Sequence, residues 1–289
     1  MSILGTTVEC TFQFLYGGKK RRAAFKLFKS VSRRVMFGTN MATTMTALYG
    51  QPTEPQNCYR NIKLHMMQWE NETAKCVCGP ELDRLASVFK GFELHSSPRF
   101  LIPDYNSMET TRGYIRDALS ECSQGDLLIL YYSGHGIEPG NGEGWKLAGK
   151  NARFEWSPLH SMLRKSKADI LLLLDACHSA AATKGATSAT QLVIAACDSG
   201  QNTNSPPPAE SLDNGEYTFT AALIHTLKGM SADGQGRQNF SAITIRQGID
   251  DRMAFLRPSY PYKSELMHSP ILTALSGDDT CQDIRLMPA

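Results

Sequence analysis

Nowhere in the 289 residues does an unbroken apolar run reach the roughly eighteen residues that a membrane-spanning helix needs. Secretory features are also missing. The opening stretch "MSILGTTVECTFQFLYGGKKRR" interrupts its apolar residues with Glu9, Cys10 and Gln13, so it lacks the apolar centre of a signal peptide. The eight cysteines are too few and too scattered for a disulfide framework, and reduced thiols in a cytoplasmic protein are the expectation. Only Cys76 and Cys78 lie close together, without the second cysteine pair or spaced histidines that zinc requires, so no metal site is expected. Internal repeats are absent as well. What is left is the composition of an ordinary globular chain, 42% hydrophobic and 20% charged.

Charge is unevenly placed. In residues 1–57 eight Lys and Arg stand against Glu9 and Glu54, a net +6 that leaves −4 for the remainder. This first segment reads as a basic leader, prodomain-like, set apart from a second domain over 58–289. Ala24, Leu27, Phe28, Val31 and Val35 fall at helical spacing within it, which predicts an amphipathic helix with a basic face. Over residues 19–37 such a helix suits an acidic partner or a membrane surface, and nucleic acid is a further candidate.

From Tyr59 onward strands and helices alternate. "NIKLHMMQW", "RFLIP", "DLLILYYSGHG", "ADILLLLD", "TQLVIAACD" and "SPILTAL" read as strands. "PELDRLASVFKGF", "SMETTRGYIRDALSEC" with Ser107 as N-cap, "SPLHSMLRKS", "YTFTAALIHTLKGM" and "FSAITIRQGIDDRMAFL" read as helices. This order predicts an α/β fold, a mainly parallel sheet of about six strands with helices on both faces. The stretch "SGQNTNSPPPAESLDNGE" is a loop by composition.

Catalytic groups in such sheets gather at the carboxyl ends of the strands. Two strands end in reactive side chains here: "LLILYYSGHG" delivers His135 and "ILLLLDACHS" delivers Cys177. An imidazole beside a thiol is what nucleophilic acyl transfer needs, and the backbone N–H groups of Gly136 and Cys177 suit an oxyanion hole. His178, adjacent to the thiol, reads as structural, and Tyr131 and Tyr132 as core.

The motifs "YYSGHG" and "LLLLDACHSA", with "LVIAACDSGQ" and "YTFTAALIHTL" downstream, resemble the caspase-like cysteine peptidases, in the metacaspase and paracaspase branch and in the style of fungal caspase-domain proteins. The resemblance covers about Tyr59 to Leu275. It implies a caspase-like three-layer sandwich, Cys177 as nucleophile, His135 as base and Gly136 as an oxyanion donor. It further implies a role in regulated cell death or proteolytic signalling, with a large-subunit part to about 184 and a small-subunit part from about 185. Ala180 stands where the metacaspase pattern has Gly, and Asp198 lies one position early in the downstream box. The aspartate cluster of calcium-dependent metacaspases is not seen, and no cofactor is expected.

Caspases place a Gln two residues before the nucleophile; this chain has Asp175 there, which repels an acidic substrate side chain and pairs with Arg or Lys. Asp198 is expected as a second wall of that pocket and Glu70 or Glu72 as a third. The expected protein partners are substrates with a basic residue before the scissile bond. Self-cleavage is expected after Lys184, with the cluster Lys19 to Arg22 as the other reachable site. Two readings stand beside the peptidase: a catalytically silent scaffold, suggested by Ala180, and a membrane- or nucleic-acid-associated protein, suggested by the basic leader.

Overall fold

The computed structural model describes residues 8–16, 19–27, 59–71, 78–92, 94–138, 144–183, 191–204, 215–232, 240–274 and 284–286. The chain divides into two compact units, 1–54 and 55–289.

In the first unit β1 (Val8–Tyr16) and β2 (Lys19–Leu27) form an antiparallel hairpin, in register from Val8 opposite Leu27 to Tyr16 opposite Lys19. This corrects the expected helix: Ala24 and Leu27 belong to β2, while Phe28, Val31 and Val35 lie outside the described residues. The link between the strands is Gly17-Gly18, a composition that favours two-residue hairpin connections. Pairing with β1 satisfies the backbone groups along one edge of β2 and overrides the helical spacing of its apolar residues.

The second unit is built on a seven-stranded sheet. In chain order it contributes β3 (Ile62–Trp69), α1 (Gly79–Phe89), β4 (His95–Ser96), β5 (Phe100–Ile102), α2 (Ser107–Ser120) and β6 (Leu127–Ser133). There follow β7 (His135–Ile137), β8 (Lys146–Ala148), β9 (Arg153–Glu155), α3 (Ser157–Leu163), β10 (Asp169–Asp175) and β11 (Gln191–Ala195). The last elements are α4 (Phe219–Ala232), β12 (Phe240–Ser241), α5 (Ala242–Leu256), β13 (Ile271–Ala274) and β14 (Arg285–Leu286). The sheet order is β13-β11-β10-β6-β3-β4, with β5 also on β3. All its pairings are parallel except β11 with β13.

Every residue of β6 and β11, and all of β10 after Asp169, is buried, because helices cover both faces. On one face Tyr131, Leu171, Leu173 and Ile194 pack with α1, α4 and α5. On the other, Leu130, Tyr132, Leu172 and Leu174 pack with α2, α3 and the small antiparallel sheet β7-β8-β9. The result is the expected three-layer α/β sandwich. The cap of α2 differs from expectation. Asn106, in the left-handed region at φ 53°, is the N-cap, and the Ser107 hydroxyl donates to Pro103 O (2.6 Å). Asn tolerates that conformation better than Ser does. Among the described residues no helix is long and apolar enough to cross a membrane.

Candidate active site

β6 and β10 are direct neighbours, running parallel with Ser133 opposite Asp175. The pairing continues one step further through the Gly134 N–H, which donates to Asp175 O (3.2 Å). His135 and Cys177 each lie two residues past those partners, so the register delivers imidazole and thiol to the same edge in step. Both are half-buried. Burial holds the His135 imidazole below its ordinary range, which keeps it neutral and able to accept a proton.

Buried aromatic donors grip the backbone of both residues. The Tyr132 hydroxyl donates to His135 O (2.9 Å) and itself accepts from Trp69 Nε1 (3.2 Å). Trp145 Nε1 donates to Cys177 O (3.0 Å). A Cβ added at Gly136 would meet Cys177 O at 2.0 Å, so only glycine permits this approach of the two chains.

The loop after β11 closes over the thiol. The Thr203 N–H donates to Cys177 Sγ (3.4 Å), the His178 N–H to Gln201 O (2.8 Å), and His178 Nδ1 bonds Ser199 O (2.9 Å). His178 is therefore held in that loop, as its structural reading requires, and it carries the left-handed backbone at φ 57°. Ala180 lies in the 3-10 turn Ser179–Thr183, and its φ is not positive, so this position does not call for glycine. Cys197 is buried, and burial pushes its thiol up to about 11, far from nucleophilic.

Asp175 points to the opposite face from the thiol loop's core contacts, towards α1 and α4, and is 4% exposed. It accepts from the Thr220 hydroxyl, which is bonded in turn to the Tyr131 hydroxyl. Glu81, in the first turn of α1, is 2% exposed and accepts from the Thr218 hydroxyl (2.7 Å). Arg84 approaches the same Glu81 oxygen, Oε1, at 3.6 Å, while the buried Oε2 receives no hydrogen bond. Burial pushes Asp175 up to about 6 and Glu81 up to about 7, the latter raised further by the charge of Asp175. Two carboxyls thus share one desolvated region, with Arg84 the cation that reaches Glu81.

Residues 79–244, more than half of the chain, match the family described as the caspase domain. The chain belongs to the caspase-domain family. That is a family of caspase-like proteases. Among solved structures, the caspase domain is similar to caspase-1 from Spodoptera frugiperda, at 14% identity and a TM-score of 0.53, covering 76% of this chain and 88% of that one. A protein from Geobacter sulfurreducens is similar at 15% identity and a TM-score of 0.53, covering 76% and 95%. Likeness at this identity speaks for the fold alone. No curated protein matches the chain.

The other expected pocket residues of the caspase domain are distributed differently. Asp198 is exposed in a turn, its carboxylate accepting from the Ser199 N–H (2.6 Å), on the rim of a surface cavity with Gln201, Arg257 and His268. Glu70 is exposed just past β3, its N–H donating to Ile102 O. Glu72 and Lys184 lie outside the described residues. Glu81 is the acid that sequence reading missed. An acid in the first turn of a helix reads as a solvated dipole partner. Its one signal was position, since Glu81 directly precedes Leu82 and lies one turn before Leu85 on the apolar stripe of α1.

Proposed function

We propose that the protein is a cytoplasmic cysteine endopeptidase that cleaves after Arg or Lys and acts in proteolytic signalling or regulated cell death. The observation that carries this reading is the β6–β10 register, which presents His135 and Cys177 together at the carboxyl edge of the sheet. The neutral His135 imidazole takes the thiol proton, and the thiolate attacks the scissile carbonyl. The N–H groups of Gly136 and Cys177 hold the oxyanion, a contribution of about 3 kcal/mol per donor. The protonated His135 returns its proton to the leaving amine, and water then releases the acyl group from Cys177.

The preference for a basic residue is supported by the Asp175–Glu81 pair. A guanidinium or ammonium entering between α1 and α4 would supply the donors that Glu81 Oε2 lacks and the charge that two buried carboxyls need. An acidic side chain would meet only repulsion. The test is hydrolysis of matched fluorogenic peptides with Arg, Lys or Asp before the scissile bond. Wild type is expected to turn over the Arg and Lys peptides, and Cys177→Ala none. Preferential cleavage after Asp would overturn the specificity, and unchanged turnover in Cys177→Ala the activity itself.

A further inference from the structure

Trp145 is 2% exposed, and its single donor, the indole N–H, is spent on the carbonyl of Cys177. It directly precedes β8, and β8 pairs with β7 so that His135 faces Ala148 and Gly136 faces Leu147. The same small sheet therefore carries the imidazole at one strand start and the indole at the next. The Trp145 ring is set edge-on against Tyr132 and Trp156, with centroids 6.5 and 5.9 Å away, which fixes its direction.

The Cys177–His178 peptide is pinned at both ends. Its oxygen accepts from Trp145, and its N–H donates to Gln201 O. A Cβ at Gly136 would lie 2.0 Å from that oxygen and 2.7 Å from Trp145 Nε1, so the indole bond crosses directly over the Gly136 α-carbon. With both bonds made, this peptide is fixed on the C-terminal side of Cys177; without them the Cys177 backbone is free to shift, and its thiol shifts with it.

We propose that Trp145 is a positioning residue for the caspase domain's reaction, tying the nucleophile's peptide to the sheet that carries the base; this rests on the cysteine-peptidase reading above. The indole N–H bonds the Cys177 carbonyl and not its thiol. Its effect is on geometry, where displacement by about an ångström costs a large factor in rate. Loss of the indole N–H removes a buried donor from the Cys177 carbonyl and loosens the peptide that carries it.

The experiment uses the full chain, with two readouts. Turnover of an Arg peptide is compared in wild type and Cys177→Ala first; equal rates there would sink the peptidase reading and leave no reaction for Trp145 to serve. Given wild-type turnover, Trp145→Phe is expected to lower kcat about tenfold with KM within about twofold, since one buried hydrogen bond is lost and no substrate contact changes. Iodoacetamide labelling of Cys177, followed by mass spectrometry across pH, is expected to move its midpoint up by about one pH unit as thiol and imidazole separate. Benzothienylalanine at position 156 is the matched control, because it keeps the ring packed on Trp145 and removes only an N–H that donates to Ala182 O instead (3.2 Å), and it is expected to leave both readouts near wild type. Wild-type kcat and labelling in Trp145→Phe, or equal losses in the position-156 control, would overturn the proposal. Should Trp145→Phe fail to fold, benzothienylalanine at 145 keeps the ring shape, removes only the N–H, and is judged by the same two outcomes.

Discussion

A thiol attacks a carbonyl only as thiolate, so the half-buried Cys177 is useful only with an acceptor for its proton at hand. In the proposed reaction His135, held neutral by burial and at the same strand edge, is that acceptor. Cys177→Ala and His135→Ala are each expected to abolish peptide hydrolysis while far-UV circular dichroism stays at wild type; residual turnover in either removes that residue from the reaction. Asp175 and Glu81 carry the second residue-scale prediction. Asp175→Asn or Glu81→Gln is expected to reduce the ratio of Arg to Gln peptide cleavage more than about a hundredfold, the usual consequence of removing one side of a buried charge pair. Equal ratios in variant and wild type would place the basic side chain elsewhere.

At the scale of elements, the parallel pairing of β10 with β11 from Ile170–Gln191 to Leu174–Ala195 holds the two halves of the sheet together whether or not the chain between them is intact. We expect self-cleavage after Lys184, in the connection between these strands. The competing cluster Lys19 to Arg22 lies in β2, already paired with β1, and a peptidase must draw its substrate out as a free extended segment. Incubated wild type should yield a new terminus at Gly185, absent from Cys177→Ala, with both fragments co-eluting natively and separating in urea. A wild-type sample whose new termini fall only between Lys20 and Ala23 would refute the order of preference.

For the whole molecule, the same two acids set a pH dependence of stability. Folding raises both carboxyls above their ordinary range, to about 6 for Asp175 and about 7 for Glu81. The folded chain therefore binds more protons than the unfolded chain between roughly pH 4 and 7. Stability from this pair is complete below the ordinary carboxylate range and is lost as pH rises through those values. Displacements of this size are worth up to about 3 kcal/mol per carboxyl. Urea midpoints should accordingly fall from pH 4 to 7 in wild type, and the slope should flatten in the Asp175→Asn, Glu81→Gln double variant. A slope unchanged by the double substitution would assign it to other groups.

Much of this protein was decided by local composition. Runs such as Leu171 to Leu174 have no polar face and read as interior strands, and their alternation with amphipathic stretches points to a parallel sheet between helices. The thiol and imidazole were legible because both follow such runs directly. Tertiary structure decided what depends on distant partners. A basic segment with helical spacing became β2 because β1 offered a ladder of backbone bonds, and long-range pairing outweighs a local period. Glu81 became a buried acid only because α4 brings Thr218 onto α1, 137 residues away in sequence. Trp145 reaches Cys177 across 32 residues, over a glycine whose need for bareness shows only when the two chains meet. Sequence fixes which groups can react or be buried; only packing sets which of them share a desolvated space, and it is there that charges shift and geometry is held.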